Sequence, residues 1–326
     1  MNIFEKLGFT DIEFGNIQSV DEMTILPILG EKRTNNVAEP ESLKFAGNSS
    51  YGQMRWSNSD PEREAIVPNN TIVISDKAAQ DHGMSETGII PANKTIEYNN
   101  ACCVQSSQGG MLDKNDEKNA FDILPLELRK YLIDPNIRFK HGYDKLWNSI
   151  ERFLKDIPGV SGRGGHLEYF FRPFKKELDD FAAEFEPVEN QLGAIIFFLN
   201  QPVGIEIMPS TNHWISHWQW LIRGCYGAQL LKMKKSGQFV NYKLDMPSIE
   251  GEITIDKLLT ATNQFIINSK LSFLAKINEL ANKEFTIVKG KDNKRLLQKE
   301  FIYTNTNSGG DIIKDGDKSV YASLVI

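Results

Sequence analysis

The sequence predicts an α+β protein, and three observations carry that expectation. Short β-branched apolar runs bounded by Pro and Asn crowd the first third, and from Phe121 onward apolar residues recur three and four apart. Beyond residue 190 the two patterns alternate, as a strand pair, two long helical stretches and a last group of strands. The expected organisation is an N-terminal antiparallel β-rich lobe (1–120), a helical middle segment (121–190) and a C-terminal hairpin–helix–sheet lobe (191–326).

In the first lobe the runs 23–29, 66–68, 71–75, 89–91, 95–98 and 102–105 have the length and β-branched content of strands in an antiparallel sheet or sandwich. Between the first two lies 30–64, rich in Asn, Ser, Glu and Gly and too long for a plain connector. Its Leu43, Phe45, Tyr51, Met54 and Trp56 suit a flap that packs on something. Residues 106–119 read as an exposed linker. In the middle segment, Leu146, Trp147, Ile150, Phe153 and Leu154 make one face of an amphipathic helix that Pro158 and Gly159 end. The stretch 166–186 has the same spacing, with Pro173 placed to kink or delay it. Next, 194–199 and 203–208 are apolar runs joined by Asn200-Gln201-Pro202, a hairpin. Pro209-Ser210-Thr211-Asn212 supplies stop and N-cap chemistry for a helix over 213–235. A second helix over 255–282 precedes strands at 285–289, 299–304 and 319–326, with turns at 307–310 and 315–316.

The chain of 326 residues is 40% hydrophobic and 25% charged, which excludes disordered and collagenous classes. Its net charge of −6 is uneven: residues 1–120 carry 10 basic and 18 acidic side chains (net −8), leaving 27 and 25 (net +2) for the rest. An acidic chain argues against duplex nucleic acid as a partner, since that needs a clustered basic face. Cys102, Cys103 and Cys225 cannot all pair, and adjacent strand cysteines point to opposite faces, so no disulfide framework is expected. The N-terminus lacks a basic region followed by an apolar run, and no window is apolar enough to span a membrane. The expected location is the cytoplasm, or a virion if the chain is phage-encoded.

Several constellations are candidates for chemistry. Gln80-Asp81-His82 sets three hydrogen-bonding or proton-transferring side chains between two strands. Alternation puts Gln80 and His82 on one face, and turn chemistry accounts for the same residues, the preferred explanation. Glu206 stands among apolar strand residues, either exposed, ion-paired, or in a pocket with a partner. The glycine-rich stretch 159–165 precedes a predicted helix, and with Arg163 and His166 it could meet an anion, though it matches no phosphate-loop or dinucleotide signature and a plain linker is favoured. His213 and His217 are four apart on a predicted helix, but Trp214 occupies the position where a metalloprotease needs Glu. An aromatic helix with its histidines at the polar margin is expected instead. Cys103 reads as a buried thiol, a nucleophile only with a basic partner nearby. No catalytic set, metal site or cofactor motif is complete.

Three pieces in order, AAQDHGMSETGIIPANKTIEYNNACCVQSS at 78–107, AIIFFLNQPVGIEIMPSTNHW at 194–214 and the terminal SVYASLVI, resemble the ARG and rhodanese-phosphatase-superfamily-associated protein domain family. The matching positions are Gln80, Cys103, Val104, Gly204 and Glu206, while Asp81, His82 and Gln105 depart from the pattern. The matched blocks flank the helical middle, which suggests one integrated body. The family name suggests contexts of ADP-ribose removal and phosphate chemistry and establishes no reaction.

Two functions are therefore expected. The leading one is a non-catalytic binding or assembly protein of phage or mobile-element type, with a protein partner or self-association. The alternative is a hydrolase or ligand-binding protein for a nucleotide or ADP-ribose-like small molecule, using Gln80, Asp81, His82 and Glu206, with Arg163 for phosphate.

Overall fold

A computed structural model describes residues 3–75, 80–107, 109–113, 120–140, 142–155, 157–160, 163–238, 254–282, 284–290, 295–304 and 308–326. Much of the predicted linker 106–119, together with the side chain of Arg163, lies outside them. The chain is α+β, built on a nine-stranded antiparallel sheet. From one edge its strands run Glu13–Phe14, Met23–Leu29, Gln191–Phe198, Gln201–Ile207, Lys318–Val325, Gly309–Asp315, Leu297–Tyr303 and Thr286–Lys289, with Gln18–Val20 also on Met23–Leu29. N-terminal and C-terminal strands thus share one sheet.

Because side chains alternate across a strand, this sheet feeds two cores. On one face Leu26, Ile28, Ile195, Phe197 and Ile205 pack against Phe273 and Ile277 of the Ile255–Leu280 helix. On the other, Ile25, Ala194, Ile196 and Val325 pack against Trp214, Trp218, Leu221 and Ile222. Burial on both faces explains why Gln191–Phe198 reads as an uninterrupted apolar run. Smaller antiparallel sheets lie beside this second core. One joins Leu43–Phe45, Met54–Asn58 and Thr95–Tyr98; another joins Cys102–Cys103, His82–Gly83, Thr71–Ile74 and Ala120–Ile123. Within 30–64, Phe45, Met54 and Trp56 are buried, and Leu43 and Tyr51 are partly so.

Two local outcomes differ from the sequence expectation. The hairpin turns at Leu199-Asn200, both with positive φ (47° and 64°), as a two-residue turn matching strand twist requires. Gly309-Gly310, expected in a turn, opens the strand Gly309–Asp315. A Cβ there would fall 2.2 Å from the Ile302 carbonyl oxygen and 2.0 Å from that of Ser323, so the two glycines let neighbouring strands close in. As its Pro173 leads one to expect, the stretch 166–186 divides into helices Glu168–Phe171 and Lys175–Ala183 on either side of that proline.

Candidate functional site

The helix after the hairpin starts where predicted: Ser210 caps it, its hydroxyl accepting from the His213 amide. Thr211–Gln219 is α-helical, Trp220–Gly227 widens into a π-helix, and Ala228–Lys235 is α-helical again. Such widening is common at functional sites. Here it turns Trp220 toward one space and Cys225 and Tyr226 toward another.

The first space is a cavity of about 540 Å³ between this helix and residues 38–71. Four rings form much of its wall. Trp220 stacks on Phe121 at 5.5 Å, and Phe121 meets Trp56 and Phe45 at 6.1 Å each. His213, His217 and Tyr321 add polar atoms. Contrary to the margin expected for them, both histidines are buried. His213 is fully used: Nε2 meets the Ala38 carbonyl oxygen at 2.9 Å and Nδ1 meets the Ser210 hydroxyl at 2.8 Å. Burial, outweighing that carbonyl, lowers its pKa and keeps it neutral. His217, 4% exposed, is pushed down to about 3 by burial and by the nearby Arg129 charge. Its Nδ1 is buried without a hydrogen-bond partner among the described residues, and so is Trp56 Nε1. The lining carboxylate Glu39 is paired with Lys32 and Arg63.

Behind the cavity lies the second space, a buried polar cluster around Glu206. Its Oε1 accepts from Arg129 Nη1 and from the Tyr226 hydroxyl, each at 2.7 Å. Arg129 also donates to Cys225 Sγ at 3.2 Å and to the Ser323 hydroxyl at 2.7 Å. Burial opposes the Arg129 charge, but the Glu206 carboxylate overcomes this and holds its pKa well above the ordinary value. Tyr321, which lines the cavity, accepts from the Asn69 amide, and burial with the Glu206 charge raises its pKa.

The segment Gln80-Asp81-His82 belongs to a different sheet and is held by internal partners. Gln80 Nε2 donates to the Gln105 carbonyl oxygen, and Asp81 Oδ1 accepts from the Ser75 amide. His82 Nδ1 donates to the Gln80 carbonyl oxygen, and Nε2 accepts from the Gly52 amide at 3.1 Å. Cys103 Sγ lies 3.2 Å from that same Nε2, a contact the sequence could not supply. Burial pushes His82 down to about 4 and the Cys103 thiol up to about 12, so the pair is a neutral imidazole and a thiol. In the glycine-rich loop, Arg163–Gly165 is a 3-10 turn, and the Gly164 amide donates to the Glu151 carboxylate, an anion the chain supplies itself. Among the described residues no group of three or more His, Cys, Asp or Glu is placed to hold a metal ion. No described helix is long and apolar enough to cross a membrane.

The family model of the ARG and Rhodanese-Phosphatase-superfamily-associated Protein domain matches residues 11–261, most of the chain. The chain belongs to that family. No curated protein and no solved structure matches it. The family's name records an association with the rhodanese-phosphatase superfamily and no reaction. In this member of the ARG and Rhodanese-Phosphatase-superfamily-associated Protein domain family, the five positions that carried the resemblance are all buried. Gly204 and Glu206 act together: a Cβ at Gly204 would lie 1.9 Å from the Tyr226 hydroxyl, so glycine is what admits the hydroxyl that bonds Glu206. Gln80, Cys103 and Val104 knit the small sheet, where the Val104 amide donates to the Asp81 carbonyl oxygen.

Proposed function

We propose that this protein is a non-catalytic binding protein for an uncharged, planar, ring-containing small molecule, seated in the cavity between residues 38–71 and the capped helix. The observation that carries this reading is the stacked pair Trp220 and Phe121 in the wall of the cavity, beside the lining residue His217, whose Nδ1 is a buried polar atom without a partner among the described residues. Leaving such an atom unsatisfied costs about 1–3 kcal/mol, which a ligand's hydrogen bond would offset. Trp56 Nε1 offers a second, donor-only contact, and Trp220 and Phe121 offer ring faces for stacking. The volume of about 540 Å³ suits a compact ligand.

Chemistry argues for binding over turnover. A general base works best with a pKa near the operating pH, and His217, at about 3, is far below it. His213 has both nitrogens engaged. The same cavity offers a diphosphate little, because Lys44 in its lining stands with Glu41, and the cations beside Glu39 are already paired with it. A nucleobase-like ring therefore fits better than an ADP-ribose-like molecule.

The test is a thermal-shift and calorimetric comparison of adenine, nicotinamide and ADP-ribose. Saturable stabilisation by a neutral heterocycle, lost in Trp220→Ala, is the expected result. If ADP-ribose binds while the neutral rings do not, the ligand class is wrong; if none of the three binds, so is the site.

A further inference from the structure

At the far edge of the large sheet lies a groove of about 570 Å³, remote in sequence from the histidine cavity's walls. Its floor is the outer strand pair, with Val288 and Gly290 beside Phe301 and Lys299, and its wall is Arg138, Phe139 and Lys140. We propose that this groove is a second binding site, for a small organic anion, a carboxylate or phosphate, that carries an apolar or aromatic body.

Charge carries the first half of the argument. Arg138, Lys140, Lys289 and Lys299 line the groove against one lining carboxylate, Glu86. Arg138 is 3% exposed; it pairs with Asp311 and Glu86 and donates to the Ser85 carbonyl oxygen. Lys299 pairs with Glu86 at 2.9 Å. Those two cations are thus matched by two carboxylates, while Lys140 and Lys289 have no carboxylate partner among the described residues. Among the described residues Lys140 thus leaves an unbalanced positive charge beside low-dielectric walls that concentrate its field, while Lys289, on the strand face it shares with its cross-strand neighbour Glu300, borders the groove at the outer strand. Arg138 Nε is also buried without a partner, so even the built part of the site holds an unused donor.

Shape and apolarity carry the second half. Phe139 is 52% exposed and Val288 37%, yet both face a concavity. Phe139 meets Phe301 edge-on at 5.9 Å and 89°, and Arg138 stacks over the Phe301 ring at 4.2 Å. A ligand with only an anionic head would leave Phe139 and Val288 wet, and one with only an apolar body would leave Lys140 unmatched.

Calorimetric titration of the full chain with benzoate, phenyl phosphate and benzyl alcohol tests the proposal. Benzoate or phenyl phosphate should bind at least roughly tenfold more tightly than the neutral alcohol. Which of the two is tighter separates a carboxylate ligand from a phosphate one. In the double variant Lys140→Ala/Lys289→Ala, the anions should weaken by about tenfold while the alcohol is unaffected. Replacing both lysines by Arg should restore anion binding, which separates loss of charge from loss of fold. Equal binding of alcohol and anions, undiminished anion affinity in the double Ala variant, or no anion binding at millimolar concentration would each overturn it.

Discussion

The two cavities are nearly equal in volume, about 540 and 570 Å³, and opposite in chemistry. One is lined by five aromatic side chains and two histidines that burial keeps neutral; the other is lined by four cations and two half-open apolar side chains. The difference follows the chain's charge. The acidic N-terminal third contributes Glu39 and Glu41 to the first cavity, and the net-positive remainder contributes every lining cation of the second. Volume alone says little about ligand class. What decides it is whether the polar atoms in the wall were neutralised by burial or left charged at a rim.

Acid is the strongest way to break the comparison. His82 and His217 have folded-state pKa values of about 4 and about 3, below the 6.5 of an unfolded histidine, because burial penalises their charged forms. The folded protein binds fewer protons than the unfolded one, so the stability they contribute is full above pH 6.5 and is lost as pH falls toward 4 and 3. Each contributes at most about 1.4 kcal/mol per pH unit, so the pair gives a slope of roughly 2 kcal/mol per unit between pH 6 and 5, offset in part by Asp122, whose carboxyl is pushed up to about 7 by burial. Urea midpoints measured across that range check it. A profile with no histidine step would mean that His82 and His217 titrate in the folded protein as they do in the unfolded one, and His217 would then not be a neutral group of the cavity wall.

The next largest effect sits behind the first cavity. Glu206→Ala leaves Arg129 buried and unpaired, at a cost of about 3–5 kcal/mol, whereas the double change Glu206→Leu/Arg129→Met should cost far less. Chemical denaturation of both variants separates a stabilising pair from a charge that is merely costly to orphan. Equal losses would point to packing instead.

How much of this was legible in the sequence depends on the distance between partners. The hairpin's two apolar runs and the Ser210 cap are local, set by neighbours within a few residues, and they appear where the pattern puts them, with only the turn moved to Leu199-Asn200. Gly309-Gly310 misled because glycine serves both turns and closely packed strands, and only the position of the Ile302 and Ser323 carbonyls distinguishes them. Glu206 stands out in the sequence as an acid in an apolar strand, but Arg129 is 77 residues away and nothing local selects it. The histidine cavity was hidden for the same reason. Its walls come from segments far apart in the chain, and the helical spacing of His213 and His217 is the same for a polar margin as for a cavity wall. A usable signal was nevertheless present in the Ser210 capping chemistry three residues before His213, since an N-cap side chain accepts from the amide of the third helical residue and so ties His213 to the start of the helix.

A smaller effect sharpens the contrast inside the first cavity. His217→Leu removes the unsatisfied Nδ1 and fills similar space, so stability should be unchanged or rise by up to about 1 kcal/mol while affinity for a neutral heterocycle falls by about tenfold. Thermal midpoints and calorimetry read the two quantities separately. A parallel loss of both would make His217 a packing residue.

The smallest effect is one of salt. Lys140 and Lys289 are exposed, so their attraction for an anion in the groove is screened as ionic strength rises and the Debye length shortens from about 10 Å to about 3 Å between 0.1 and 1 M. A ligand held by stacking and by hydrogen bonds to His217 and Trp56 has no net charge to screen. Raising sodium chloride over that range should therefore weaken an anion in the groove several-fold and leave a neutral ring in the histidine cavity almost untouched. Two titrations on one sample series check this. If both ligands respond alike, the charge difference between the two walls does not govern what they bind.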